Sequence, residues 1–441
     1  MPFAIDTSGQ LPDRHRRQRR ADRQHLRVAM PCLHTSPLDQ PGSGDAGGMN
    51  VYVREVALAL AAGGAQVDIF TRSPEERGPV HLGPGVVVHH LPAGPRGPLP
   101  KEQLPAYLPD ISQAILSGRF GPYDVVHSHY WMSGLVGLDL ARAWGVPLVH
   151  TMHTMAKSKR RHQRDAEEPD SRVEAETVLA RRATRLTANT AAEADELVAD
   201  YGADRSRIDL VAPGVNLDIF HPDGPRTWIG DAGHTPGPAA DPLRIAFAGR
   251  IQKLKGPHIL LRALGLLARK RPDLDVELAI IGSRSGSKEL NLARLIAEEH
   301  LEHTAHRLPP APADQLAAWF RAAHVVAVPS YSESFGLVAM EAQACGTPVL
   351  AHDVGGLRHS VADGSTGVLV ADLTAASWAE AIAQAATHRD RFRAMGEAAV
   401  LRARGFSWDH TAAAARTSYA RAAADEDPVV DPPAGSPAPR S

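Results

Sequence analysis

Short apolar runs alternate with stretches of helical rhythm over most of the chain. Residues 26–30, 66–70, 86–90, 124–127, 147–150, 186–189 and 208–212 are brief, mostly apolar runs between turn formers, the mark of buried strands. Between most of them lie amphipathic stretches. In 50–62, Val53, Val56, Ala57 and Leu60 recur at three- and four-residue steps before Gly63-Gly64 stops the helix. After a Gly- and Pro-rich segment at 222–242 the pattern restarts, with strands at 243–247, 276–281, 325–328, 348–351 and 367–370 and helices at 258–269 and 289–299. This alternation predicts an α/β fold of parallel sheets with helices on both faces. Ligands of such sheets bind outside the carboxyl ends of the strands, so two domains facing one another place the expected site in the cleft between them.

The expected organisation is a disordered extension at 1–24, a first Rossmann-like domain at 25–220, a linker at 221–242 and a second domain at 243–405. A C-terminal helix at 406–424 is expected to pack back on the first domain, ahead of a disordered tail at 425–441. The basic N-terminal residues, Arg14 to Arg23, precede no apolar core before Leu26, which argues against a secretory signal.

Composition narrows the function classes. The 441 residues are 43% hydrophobic and 22% charged, which fits a globular chain of two domains. A formal net charge of −2 gives no reason to expect nucleic acid or an anionic membrane as partner. Cys32 and Cys345 form neither a disulfide framework nor a zinc spacing, in keeping with a reducing cytoplasm. No apolar run approaches the length of a membrane span.

The chemistry concentrates in Glu333-Ser-Phe-Gly-Leu-Val-Ala-Met-Glu341. The strand before it ends at Val328, and Leu337, Met340, Glu341 and Ala344 then follow helical spacing. A helix N-terminus there offers unpaired amides and positive partial charge to a diphosphate. Glu333, in the loop, is placed to hydrogen-bond sugar hydroxyls, and Glu341, two turns on, to take a ribose diol. A glycosidase acid/base pair needs carboxylates roughly 5–10 Å apart around one bond. Eight helical residues span roughly 12 Å with the side chains about 80° apart, which suits two grips along an extended ligand.

Arg250 and Lys255 flank a loop at the carboxyl end of the second domain's first strand. A guanidinium fork and an ammonium there suit the charge that develops on a leaving nucleoside diphosphate. Gly42-Ser-Gly-Asp-Ala-Gly-Gly48 follows the chain's first strand, and its glycines let backbone amides approach an anion, although a plain tight turn would look similar. His127-Ser-His129 and His150-Thr-Met-His153 end strands with no acidic or thiol ligand at a usual spacing, so zinc is not expected.

Glu333 and Glu341, with Arg250 and Lys255, resemble the Glu-x7-Glu motif and paired cations of the retaining, GT-B glycosyltransferases of family 4. The block from His34 to Tyr52, with His127-Ser-His-Tyr-Trp131, His150-Thr-Met-His-Thr154 and Val328 to Ala342, is similar to the branch of that family that glycosylates inositol phosphate in mycothiol biosynthesis. The similarity runs from about Leu26 to about Tyr419.

The resemblance implies transfer of N-acetylglucosamine from UDP-N-acetylglucosamine to 1D-myo-inositol 3-phosphate. Donor contacts would be Gln40, Pro41, Gly48, Arg250, Lys255, Glu333, Glu341 and the backbone of Ala311. Acceptor contacts would be His34, Asp45, Ala46, Gly47, Gly48, Met49, Asn50, Lys101, Tyr130, Thr154 and Arg172. The reaction itself would use Arg250, Lys255 and Glu333, with His153 near the reacting centre. It further implies a cytoplasmic homodimer and a structural magnesium ion near Phe320, Arg321, Ala323 and Thr347, with no cofactor needed for chemistry. A mannosyl- or sucrose-type transferase of the same family and a non-catalytic nucleotide-sugar sensor are the alternatives.

Overall fold

The computed structural model describes residues 25–97, 99–162, 168–229, 242–284 and 290–425. The expected N-terminal extension and all but the first residue of the expected tail lie outside them. So does most of the expected linker.

Two sheets organise the chain. The first holds eight strands: β1 (Arg27–Pro31), β2 (Gln66–Arg72), β3 (Val80–Gly83), β4 (Val86–Leu91), β5 (Val125–His129), β6 (Leu148–Thr151), β7 (Arg185–Ala188) and β8 (Ile208–Leu210), in the order β3-β4-β2-β1-β5-β6-β7-β8. All neighbours are parallel except the β3–β4 pair. The second holds six parallel strands: β9 (Leu243–Ala248), β10 (Val276–Ile281), β11 (Ala305–Leu308), β12 (Val325–Val328), β13 (Val349–His352) and β14 (Gly367–Val370), ordered β11-β10-β9-β12-β13-β14.

In both sheets the strand order reverses beside the first strand, at β1 and at β9. The loops leaving these two strands therefore open into a crevice, where neighbouring crossovers diverge to opposite faces. The Gly42–Gly48 loop leaves β1 and the Arg250–Lys255 loop leaves β9, so topology alone brings the two candidate phosphate-handling segments to the same end of their sheets. Helices cover both faces because strands such as Val125–His129 and Val325–Val328 are buried throughout, with no face left for water.

Two strands escaped the periodicity. β3 (Val-His-Leu-Gly) is a half-exposed antiparallel edge strand, and β11 (Ala-His-Arg-Leu) is too polar to stand out. The helix expected at 289–299 is Leu292–Glu298, because Asn291 caps it by accepting from the Arg294 amide at 3.0 Å. The near part of the expected linker is packed against the second domain. Trp228 is buried with its ring 5.7 Å from that of Trp319, and Arg321 donates to the carbonyls of Ile219, His221 and Pro225.

The last helix, Trp408–Ala424, leaves the second domain and lies on the first. Trp408, Ala412, Ala415, Tyr419 and Ala422 share a core with Tyr52, Val53, Val56 and Leu60 of the helix Gly48–Ala62. Burying an aromatic of this kind contributes about 2–3 kcal/mol. Tyr419 Oη also meets His127 Nδ1 at 2.7 Å beneath the sheet. Among the described residues no helix is long and apolar enough to cross a membrane.

Candidate active site in the interdomain cleft

The loop after β9 carries both cations. It ends in a tight turn at Gly256 (φ +75°), where a Cβ would stand 2.0 Å from the Pro329 carbonyl oxygen, so only glycine lets the loop pack against the end of β12. The turn aims Lys255 at Glu333: Nζ donates to Oε1 at 2.5 Å, and Ser330 Oγ donates to the same oxygen at 2.9 Å. Glu333 is thereby fixed at both ends, since its carbonyl accepts from the Gly356 amide at 2.8 Å.

Gly336 (φ +95°) then starts the helix Leu337–Ala344. Facing it is the start of Gly48–Ala62, so close that a Cβ on Gly48 would lie 3.4 Å from Leu337 Cδ1. Two helix N-termini therefore converge, each with amides that have no partner within the helix. One turn further in, Glu341 is buried, and burial first, then the charge of Glu55, push its pKa up to about 7.

The glycine-rich loop closes the cleft from the other domain. Gln40 Nε2 donates to the Ala311 carbonyl at 2.9 Å, and Ser283 donates to the Gly42 carbonyl through its amide and its hydroxyl. Arg250 lies across Gly47, with Nη1 3.8 Å from Asp45 Oδ1. Lys101 Nζ is 3.9 Å from the same oxygen, so Asp45 lies between the two cations. The cleft enclosed is about 430 Å³, the size of a ligand pocket.

Of the expected acceptor-side residues, His34, Lys101, Tyr130, Thr154, Met49, Gly47 and Gly48 line the cleft, as does His153. Tyr130 (φ 74°) and His153 (φ 60°) hold left-handed backbone conformations without being glycine, a cost that tends to persist at functional sites. The His34 ring lies 4.4 Å from that of Tyr130. Burial, then Lys101 and Arg250, hold its pKa down to about 3, so the ring is neutral. His153 is also held neutral, by burial and the neighbouring histidines, and its Nε2 is 2.9 Å from His129 Nδ1. His127 bonds Tyr419 and Thr151 through its two ring nitrogens and is a satisfied core side chain, whereas His150 bonds Ser128 through Nδ1 alone.

The cleft thus gathers every expected donor residue (Gln40, Pro41, Gly48, Arg250, Lys255, Ala311, Glu333 and Glu341). Two expected acceptor contacts are placed differently. Ala46 is buried inside its own turn, its amide bonded to the Ser43 carbonyl. Arg172 is buried behind the wall and all three guanidinium nitrogens are engaged: Nε with Glu176 at 2.7 Å, Nη1 with Glu168 at 2.6 Å, and Nη2 with the carbonyl and hydroxyl of Thr154. Its Cζ sits 5.0 Å over the Tyr130 ring. Asn50 lines the cleft, but its amide holds the loop by bonding Thr35, Ser36 and the Gly47 amide.

Lys159 and Glu55 also line the cleft and escaped the sequence reading. Lys159 sits in the run Lys157-Ser-Lys-Arg-Arg161, where nothing in the pattern separates a cleft residue from a solvated one.

Phe320, Arg321, Ala323 and Thr347 lie together around the far end of β12, away from the cleft. They offer neutral oxygens only, and the Phe320 carbonyl already accepts from Thr347 Oγ1 at 2.6 Å and from the Ala323 amide. Such a set suits at most a hydrated hard cation. Among the described residues no group of three or more His, Cys, Asp or Glu could hold a metal ion.

Comparison with known proteins agrees with this architecture. The Glycosyl transferase 4-like domain matches residues 47–214 and Glycosyl transferases group 1 matches 235–402. A D-inositol 3-phosphate glycosyltransferase of Paenarthrobacter aurescens (strain TC1) is 50% identical over 403 residues, 90% of this chain and 98% of that one. Among solved structures, a sucrose-phosphate synthase from Thermosynechococcus elongatus superposes with a TM-score of 0.80 at 29% identity, covering 91% of this chain and 100% of the other. Anabaena Alr3699/HepE, solved with UDP-glucose, gives 0.67 at 19% identity over 89% and 99%, a likeness of fold. The chain belongs to the D-inositol 3-phosphate glycosyltransferase family, on a GT-B fold of two facing Rossmann-like domains.

Proposed function

We propose that the chain transfers N-acetylglucosamine from UDP-N-acetylglucosamine to 1D-myo-inositol 3-phosphate with retention at the anomeric carbon, the first committed step of mycothiol biosynthesis. The observation that carries this reading is the juxtaposition in one cleft of two differently equipped ends. One has Arg250, the Lys255–Glu333 pair and two helix N-termini; the other has Lys101, Lys159 and the Tyr130–Thr154 wall. The first suits a diphosphate and the second a small anion. The kinship with D-inositol 3-phosphate glycosyltransferases supports that choice of acceptor.

In this mechanism the acceptor hydroxyl approaches C1 of the sugar from the face on which the diphosphate departs. The new C1–O bond forms as the C1–O–phosphate bond breaks, and the hydroxyl proton passes to the leaving phosphate oxygen. Arg250, Lys255 and the amides at the start of Leu337–Ala344 stabilise the charge that appears there. Glu333 orients the sugar hydroxyls while keeping Lys255 in place. Glu341 takes the ribose diol, and neutral His153 contacts the sugar beside C1. No step needs a metal. A cytoplasmic homodimer belongs to the same reading, and sedimentation of the full chain tests the dimer.

The test is product analysis with UDP-N-acetylglucosamine and UDP-glucose, each offered inositol 3-phosphate and free inositol. The expected product is the α-linked N-acetylglucosaminyl inositol phosphate, identified by its anomeric proton coupling, with UDP released. A β-linkage would overturn retention. Equal transfer to free inositol would overturn the acceptor assignment. The likeness to a sucrose-phosphate synthase favours a second reading, a sucrose-type transferase, at lower identity, and a hexose phosphate acceptor in the same assay decides it.

A further inference from the structure

Lys159, at the anion-suited end of the cleft, and Glu168, to which the proposed mechanism gives no part, meet beside the acceptor pocket. Lys159 lines the cleft, and its Nζ is 3.0 Å from Glu168 Oε1. The other Glu168 oxygen, Oε2, is 2.6 Å from Arg172 Nη1. One carboxylate therefore spans two cations. Arg172 continues inward to Glu176 and outward to Thr154 and the Tyr130 ring, both of which line the cleft.

The charges in this cluster balance: Lys159 and Arg172 against Glu168 and Glu176. A balanced cluster gives a further anion little net attraction beyond that of the nearby Lys101, so an incoming phosphate gains most by taking the place of a carboxylate. Glu176 cannot yield. It is fully buried and accepts from Arg172 Nε, from Tyr201 Oη at 2.6 Å and from the Ala156 amide at 2.9 Å. Removing one partner from such a buried set costs several kcal/mol. Glu168 is partly exposed and, among its described contacts, its carboxylate holds only Lys159 and Arg172. A phosphate oxygen presents the same geometry to Lys159 that Glu168 Oε1 does, with more charge.

We propose that Lys159 is a further acceptor-recognition residue and that Glu168 is its placeholder, the acceptor's phosphate replacing the Glu168 carboxylate on Lys159. This rests on the reading of the acceptor as a phosphorylated cyclitol. It makes phosphate selection an exchange: an uncharged cyclitol leaves the Lys159–Glu168 pair intact and gains nothing from it, whereas the phosphate ester takes the cation over.

Calorimetry on the full chain tests it, titrating 1D-myo-inositol 3-phosphate, free inositol, inorganic phosphate and UDP. Lys159→Ala is expected to weaken inositol phosphate binding about tenfold or more, with UDP affinity within about twofold of the parent. Lys159→Arg is expected to restore most of the loss. Glu168→Gln is expected to act in the opposite direction and tighten inositol phosphate binding by about two- to fivefold, which separates placeholder from scaffold even if Lys159→Ala folds poorly. Loss of UDP and inositol phosphate affinity in step would make Lys159 merely structural and overturn the proposal, as would weaker binding by Glu168→Gln. If the parent chain binds free inositol as well as its phosphate, this proposal and the proposed function fall together. If the parent prefers the phosphate and Lys159→Ala keeps that preference, this proposal alone falls.

Discussion

Arg172, in the acceptor wall, is held in the opposite way to the two cations at the other end of the cleft. On the donor side of the proposed reaction, Arg250 and Lys255 stand in a loop, nearest to Asp45 and to Glu333 respectively, carboxylates that themselves line the cleft. On the acceptor side, Arg172 is sunk into the wall between two carboxylates, with only 2% of its side chain exposed, and reaches the cleft through Thr154 and Tyr130. A lightly held cation can change partners as charge appears on a leaving group. A fully paired, buried one shapes the wall and cannot leave it. Under the proposed reaction the donor-side pair responds as charge develops, whereas the Arg172 part of the acceptor wall is set before it.

That contrast can be broken experimentally, and the largest effect should come from the buried cation. Arg172→Ala leaves Glu176 without its main charge partner and is expected to destabilise the fold by about 3–5 kcal/mol, read by denaturant unfolding. Lys255→Ala should do the reverse, keeping the fold and lowering turnover at least about a hundredfold, on the scale of about 2–4 kcal/mol for a lost stabiliser of developing charge. If Lys255→Ala unfolded the chain, or Arg172→Ala kept its stability, the distinction between the halves would be void.

Smaller effects sharpen the comparison. Tyr419→Phe removes the partner of the buried His127 Nδ1 beneath the acceptor-side sheet and should cost about 1–3 kcal/mol of stability, seen as a lowered Tm, with donor affinity unchanged. Glu341 supplies a pH test on the donor side. Its pKa, raised by burial and then by Glu55 to about 7, means it is mostly protonated below that pH and charged above it. Glu341→Gln imitates the protonated form. Its KM for the nucleotide sugar should match the parent at pH 6 and rise a few-fold above it at pH 8. Since the folded-state pKa is raised, the same group favours folding most below its unfolded value, and that contribution is lost as pH rises towards 7. Lys159 gives the acceptor-side counterpart: burial first, then Arg172, lower its pKa to about 8, so acceptor KM should climb as pH passes that value and the cation is lost.

What the sequence disclosed follows from what periodicity encodes. Strands buried on both faces read as apolar runs, and the loops after β1 and β9 could be placed at one end of their sheets before any coordinates. Arg250, Lys255, Glu333 and Glu341 came from one such loop and one short motif, and they line the same cleft. The acceptor wall was less legible because its order arises from contacts that periodicity does not encode. Arg172 looks like any basic residue at the start of a polar helix, and only the folded chain shows Glu168, Glu176 and Thr154 around it. Lys159 is hidden in a basic run for the same reason. The half-exposed edge strand β3 and the polar β11 lacked the apolar signature that their neighbours carry.

One feature of the join between domains bears on how the cleft works. The chain passes between them twice, near Val215 and again near Ser407, and the two passages lie side by side: Val215 bridges Ser407 in parallel, and its amide donates to the Phe406 carbonyl at 2.9 Å. At Gly214 a Cβ would stand 2.4 Å from the Trp408 amide nitrogen, so the passages touch without any side chain between them. A single connecting strand would let one lobe swing in any direction. A bonded pair behaves as a pivot and leaves one easy axis, so opening and reclosing should retrace a single arc and return Arg250 and Lys255 to the same register after each product departs.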